Sequence, residues 1–516
     1  MSLPTPPADL VVYGGTVLSQ DPHRPTAEAV AMVGDRIIAL GREADLRPLI
    51  SRHTHLLDCH GHTVLPGFID PHLHLFSWAS RLCGADLSDI GSIPELQRHL
   101  AMYLPQLQPG EWLRGYGYDE FLLTEKRHPT RSDLDAVCRE RPIVVRHRSG
   151  HAAVLNTAGL NRAGIGPSFA DRHGGYAERD TSGRPTGVVY ELEAVLRSVI
   201  PRLPAARFRA AVQHAGQDLL RLGVTSFHDA SAGNTLEDLA VFQQLATDGL
   251  LASRATVMIG SAALEQLLEA RLEPFSGDDQ VRLGSVKIML HESRGALHPE
   301  PATLRQLVWR AHHHGFQLAF HAVEEAAIGL ALDAVEQAQQ RLFRPDHRHR
   351  IEHCSLCPPP FLEQLKTSGC AVVTQPGFVR WYGEKYVAEV APEIHSWLYR
   401  TRSLIDHHIP VAGSSDCPVG PLAPLASIST ALTRQSQIGR EVSGAERVSL
   451  AQALGLFTSA AAWVGFEENS KGRLAPGMLA DLVILDGDMS VIPAQAIGSL
   501  AVTTTIIGGK VVWHQT

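Results

Sequence analysis

What most constrains this chain is a rhythm in its middle, where short apolar runs alternate with amphipathic stretches. The strand candidates are PIVVRHRSGH, VTSFHDA, SVKIMLHES, QLAFHA, HRIEHC, AVVTQPG and IPVAGSSD. Between several of them lie helical patterns such as LRQLVWRAHHHG, AAIGLALDAVEQAQQRL and PPFLEQLKTSG. Strands that are apolar on both faces and joined through helices read as a parallel sheet. The number of units favours an α/β fold closed into a (β/α)8 TIM-like barrel over an open doubly wound sheet. Residues 80–205 fit the rhythm poorly and are expected to form an insertion over the barrel mouth.

Both ends have a different texture. DLVVYGGTVLS, AVAMVGDRIIALG and HTVLPG at one end, and GRLAPGMLADLVILDGD and AVTTTIIGGKVVWH at the other, alternate β-branched residues with glycine breaks. That is the pattern of short strands and hairpins. The expectation is one small β-sandwich assembled from both termini, residues 1–66 and 470–516, around a barrel spanning 67–469.

Composition narrows the function classes. A net charge of −8, with no basic run interleaved with aromatics, argues against nucleic acid. No apolar run approaches the ~20 residues of a membrane span, and the first residues lack the pattern of a secretory signal. Seven scattered cysteines fit reduced thiols in a cytoplasm better than a disulfide framework. The lone C-x-x-C of Cys354 and Cys357 is followed by prolines, which speaks against a redox or zinc-ribbon role. A small-molecule substrate is the expected partner, and a homodimer is open.

Histidine is abundant, and spacing alone says little. With 27 His in 516 residues, chance gives about one or two H-x-H pairs, and the chain has five: His53/His55, His60/His62, His72/His74, His312/His314 and His347/His349. Context separates them. Catalytic groups of a parallel barrel sit at carboxyl ends of strands. LPGFIDPHLHL ends in His72 and His74, whose spacing puts both rings on one face of an extended segment. SVKIMLHES carries Lys287, QLAFHA ends in His321, HRIEHC in His353 and IPVAGSSD in Asp416. The pairs at 53/55, 60/62 and 312/314 lack this setting and read as solvated or helix-face histidines.

These residues and their order resemble the amidohydrolase superfamily, and within it the subgroup of N-substituted formamide deformylase-like and YtcJ-like proteins. The resemblance runs through GHTVLPGFIDPHLHL, RHRSGHAAVLNTAGL, GRPTGVVYE, GVTSFHD, VKI, AFHAVEEAAI, RIEHCSL, GSSDCPV and GRLAPGMLADLVILD. It implies a barrel with a composite β-sandwich and a site for one or two Zn2+ held by His72, His74, Lys287 as a carbamate, His321, His353 and Asp416. An unmodified ammonium cannot ligate, so Lys287 is either carboxylated or confined to a structural ion pair. The implied reaction is hydrolysis of a non-peptide C–N bond (amide, N-formyl or N-acyl) by metal-activated hydroxide, with Asp416 as the proton-transferring catalytic residue.

One departure matters. Members commonly carry Asp-Gly soon after the strand lysine, whereas this chain reads KIMLHESRG. Alternation aligns Lys287, Met289 and His291, so His291 is either a loop residue or a contact at the mouth, to substrate or metal. His151 resembles the family's pocket histidine, and Arg380, Trp381 and Tyr382 in FVRWYGEKY offer a surface for a ring or carboxylate. A lactonase or ester-type hydrolase on the same centre is the alternative activity. A non-catalytic scaffold would require lost ligands, and none of the six positions is lost.

Overall fold

The computed structural model describes residues 6–171 and 174–515. The chain divides into two compact units, one of residues 1–74, 215–291 and 301–516, the other of 75–214 and 292–300.

The first unit is built on eight parallel strands: β1 (Phe68–Leu73), β2 (Val224–Asp229), β3 (Arg254–Gly260), β4 (Val281–Met289), β5 (Leu318–Ala322), β6 (Arg350–His353), β7 (Ala371–Thr374) and β8 (Val411–Gly413). They pair in chain order, each in parallel with the next. Almost every residue in them is buried, as two-sided covering demands. Helices Leu236–Thr247, Glu325–Arg341 and Pro359–Ser368 follow β2, β5 and β6. Each has a physical start or stop. Thr235 and Asp238 form a capping box, and Gly369 ends its helix in the left-handed conformation that glycine adopts without cost.

The ring is nearly closed. No strand ladder joins β8 to β1, but just beyond their ends the Asp416 N–H donates to the His72 carbonyl at 2.9 Å and the His74 N–H to the Cys417 carbonyl at 2.8 Å. Lower down, the Ile69 N–H donates to Phe457 O, 2.8 Å away.

Two differences from the sequence reading concern strand membership. β3, RATVMIG, was not among the candidates, yet all seven of its residues are buried in the barrel wall. Ile143–His147 was a candidate for the parallel series but lies in the second unit. There it is one strand of a mixed six-stranded sheet, parallel to Leu113–Tyr118 and antiparallel to Ala152–Leu155. Alternate side chains of that sheet enter two separate cores: Leu113, Val145 and Val154 in one, Val144, Ala153 and Leu155 in the other.

The chain ends meet in the first unit. A four-stranded sheet comes from the N-terminal segment. A six-stranded sheet combines Thr16–Leu18, Thr26–Ala27 and Thr63–Pro66 with Leu482–Leu485, Val502–Ile507 and Lys510–His514. One buried cluster draws on both, with Val12, Val30 and Met32 from the first and Val64, Leu482 and Ile506 from the second.

Candidate metal centre

Strand ends deliver the site. His72 is the fifth residue of β1, and His74 follows one residue past its end. Asp416 lies three residues beyond β8 in a left-handed backbone conformation, φ 55°. The backbone bonds that close the barrel hold these two segments together. As a result Asp416 Oδ1 sits 3.1 Å from His74 Nε2 and 3.5 Å from His72 Nε2. The ligand atoms of His72, His74 and Asp416 all lie within 4.8 Å of one another.

His353 ends β6 with φ 71°, also left-handed. Strict alternation would send residues 352 and 353 to opposite faces. The left-handed residue ends that alternation, and both side chains are used by the centre. The His353 ring packs 4.9 Å from His72 and 4.5 Å from His321, centroid to centroid. Lys287, in β4, is buried, and its Nζ makes no hydrogen bond.

A consistent proton pattern runs through three of the imidazoles. His72 Nδ1 bonds Glu352 Oε2, His74 Nδ1 lies 3.1 Å from Ser231 Oγ, and His353 Nδ1 lies 2.9 Å from Gln375 Oε1. Gln375 is oriented in turn, its Nε2 donating to Ser414 Oγ at 3.0 Å. With Nδ1 engaged by an oxygen, His72 and His353 are left with Nε2 as the available ligand atom, the usual arrangement around a metal, whereas His74 Nε2 is bonded to Asp416 Oδ1 at 3.1 Å. His353 Nε2 is buried and makes no hydrogen bond.

Electrostatics fit a cation. Burial pushes His72 well below the usual imidazole range and lowers His353, so both rings are neutral. Burial opposes ionisation of Asp416, but the bond from His74 outweighs it and holds the carboxyl well below its ordinary value. Burial lowers the Lys287 amine to about 8, against the pull of Glu352 and Asp416. Asp70, buried beneath and accepting the Ser415 and His72 N–H groups, is pushed up to about 7 by burial. Neutral imidazoles, one carboxylate and an amine prone to lose its proton, with two donor atoms lacking hydrogen bonds, fit a divalent cation.

Beneath the centre a buried chain of polar groups continues down the barrel. Arg350 clamps Glu352 at 2.7 and 3.0 Å and donates to Pro71 O and to His228 Nδ1. His228 Nε2 then reaches Glu467 Oε2 at 3.2 Å, and Glu467 pairs with Lys471 at 2.7 Å and Arg282 at 3.2 Å. Sequence reasoning missed Glu352, Gln375, Asp70 and this chain. Glu352 and Arg350 carried a signal, being two positions apart on one strand face.

The proposed contact residues are placed as follows. Arg380 and Trp381 lie in helix Phe378–Glu389 after β7, the guanidinium 5.2 Å from the indole ring, and both are half-buried rather than a surface patch. β4 stops at Met289 and His291 starts a separate short strand, so alternation does not carry from Lys287 to His291. His151 belongs to the second unit, where its Nδ1 lies 2.7 Å from Glu191 Oε1. Among the other histidines, His53, His55, His60 and His314 are exposed and His62 is half-buried, whereas His312, read as a helix-face residue, is fully buried.

A parallel barrel with histidines and an aspartate on its strand ends is the architecture of a metal-dependent hydrolase. The chain belongs to the amidohydrolase family, whose profile matches residues 55–513. N-substituted formamide deformylase of Arthrobacter pascens is 28% identical over 98% of this chain and 99% of that protein. YtcJ of Bacillus subtilis (strain 168) is 26% identical over 98% and 99%. Among solved structures, an uncharacterised metal-dependent hydrolase from Pyrococcus furiosus superposes with a TM-score of 0.72 at 26% identity, covering 94% of this chain and 99% of its own.

Proposed function

We propose that this hydrolase cleaves a non-peptide C–N bond, an amide of N-formyl or N-acyl type. The observation that carries the reading is the convergence of His72, His74 and Asp416, with the Nδ1 of each ring held by an oxygen. The likeness to a formamide deformylase along the whole chain supports the substrate class.

His72, His74, His321, His353 and Asp416 would hold Zn2+. A bound divalent ion supplies a Lewis acid for the carbonyl and lowers the pKa of water toward about 7. The chain's own groups do the rest. Asp416 is ionised at neutral pH and accepts the proton of the attacking water. As the tetrahedral carbon collapses, that proton passes to the departing nitrogen, which leaves as an amine. Lys287, an amine lowered to about 8 without a hydrogen bond, is suited to add carbon dioxide. Its nitrogen forms the new bond to carbon and releases a proton, leaving a carbamate anion able to serve two ions.

The test is a screen of zinc-loaded protein against N-formyl amines, N-acyl amines, cyclic amides and lactones, with amine release and metal content both measured. At least one N-formyl or N-acyl amide should turn over, and chelation should abolish the activity. Turnover confined to lactones would overturn the C–N assignment.

A further inference from the structure

The buried polar chain inside the barrel links the foot of the strands to the centre at their carboxyl ends, and His228 is its middle member. At the foot, the carbonyls of Trp463, Val464 and Gly465 accept bonds from Arg348, Gln317 and Arg282, which stand at the starts of β6, β5 and β4. This packing brings Glu467 into the barrel, where it is buried. Its Oε1 is taken by Lys471 at 2.7 Å, Arg282 at 3.2 Å and Thr256 Oγ1 at 3.3 Å. Its Oε2 faces Nε2 of His228, the fifth residue of β2, 3.2 Å away.

Proton positions along the chain follow from the guanidinium, which donates and never accepts. Arg350 Nη1 lies 2.9 Å from His228 Nδ1, so the hydrogen between them belongs to the arginine. Nδ1 is therefore bare, and the single proton of the ring sits on Nε2, donated to Glu467 Oε2. Burial keeps the ring neutral, lowering it to about 4 against the pull of Glu467. Among the described residues His228 is the one acceptor on Arg350 Nη1. The other two guanidinium nitrogens clamp Glu352, whose Oε2 takes the Nδ1 proton of His72. His228, Arg350 and Glu352 are fully buried, so bulk solvent does not compete for these bonds.

The backbone makes room for the ring. A Cβ on Gly465 would stand 2.6 Å from His228 Cε1 and 2.9 Å from its Nε2. Gly465 has φ −100°, which any residue adopts, so glycine is needed here for space and not for conformation.

We propose that His228 is a positioning residue of the metal centre: it holds Arg350 so that Glu352 keeps the Nδ1 proton of His72 and leaves Nε2 for the ion. The inference rests on the proposed use of His72 as a ligand, and it adds that this ligand is set from the foot of the barrel through Glu467 and His228.

Metal affinity measured by competition with a chelator tests it, on full-length samples that urea melts show to be folded. His228→Phe keeps a ring but removes the acceptor and the donor, and should weaken Zn2+ or Co2+ binding about 10-fold. His228→Gln, which carries both an acceptor and a donor, should recover part of that loss. Gly465→Ala keeps every bonding group but displaces the ring, and should weaken binding in the same direction. The decisive sample combines His228→Phe with Glu352→Gln. If His228 acts through Glu352, the double variant binds metal no more weakly than Glu352→Gln alone, whereas independent effects multiply. If His228→Phe does not fold, Gly465→Ala takes its place in the same comparison. Multiplied losses would overturn the proposal, and so would parent affinity in folded His228→Phe or Gly465→Ala protein. A parent chain that takes up no divalent metal would instead overturn the proposed centre, and this inference with it.

Discussion

At the residue scale, the centre separates groups that hold from groups that react. Asp416→Asn keeps an oxygen near His74 but cannot accept a proton. Turnover should fall by about 10²–10⁴-fold while most of the metal stays bound, read by kcat and elemental analysis on the same sample. Lys287→Ala should lose metal and activity together, and acetate or propionate should restore part of both by filling the space of the proposed carbamate. Lys287→Arg should not respond to added acid. Full activity in the arginine variant would reduce Lys287 to a buried cation. Glu352 belongs to the holding class, because it takes the Nδ1 proton of His72 and is itself clamped by Arg350. Glu352→Gln should weaken metal affinity about 10–100-fold, with kcat at saturating metal changed far less. A larger loss in kcat than in affinity would move Glu352 into the reaction. His72, His74 and Asp416 could be read from sequence because metal-capable side chains at strand ends form a local pattern. Glu352 showed only its spacing from Arg350; its link to the centre did not show, since its partner His72 is 280 positions away.

At the level of elements, buried histidines tie strands to helices. His312, in helix Pro301–His313, meets His349 at 2.8 Å and Leu342 O at 2.8 Å. The Leu318 N–H donates to His349 Nδ1 at 3.0 Å, and His347 Nε2 lies 2.8 Å from Ser368 O. These bonds need neutral rings. Burial lowers His347 to about 4, and it does the same to His228 in the barrel, against the pull of Glu467. In the unfolded chain both would titrate near 6.5. Between those values the unfolded state takes the proton first, so stability is complete above pH ~6.5 and declines as pH falls toward 4. At pH 5 each ring should cost about 2 kcal/mol. Urea midpoints measured from pH 7.5 to 4.5 should show the decline, and a flat profile would show that neither ring is held neutral. Nothing in H-x-H spacing distinguished His312 and His347/His349 from solvated pairs. Nor did apolar content distinguish β3 from Ile143–His147: a buried barrel strand and an inner strand of a mixed sheet are both short apolar runs. Their difference lies in their neighbours, which local sequence does not contain.

At the scale of the molecule, the meeting of the two chain ends was legible in their shared strand texture, but the bond joining them to the barrel was not. Asp481 precedes strand Leu482–Leu485, which pairs with Thr63–Pro66 just ahead of β1. Its carboxylate takes both Arg254 Nε and Nη2, at 2.7 and 3.0 Å, from the first residue of β3. It also accepts the Gly508 N–H at 2.8 Å, while its carbonyl accepts the Gly67 N–H at 2.9 Å. Arg254 and Asp481 are both buried, so this one pair joins the C-terminal strands, β3 and the entrance to β1. A buried ion pair need not stabilise relative to apolar packing, but removing one partner strands the other charge. Asp481→Ala should therefore cost about 3–5 kcal/mol, seen as a lower denaturant midpoint. The double change Arg254→Met with Asp481→Leu should recover most of that loss, because no buried charge is left alone. If the double variant is as unstable as the single one, the hydrogen bonds to Gly508 rather than the charge pair hold the ends in place. Metal content should separate the cases further, since a barrel loosened at β1 and β3 would also weaken the proposed metal site at His72 and His74.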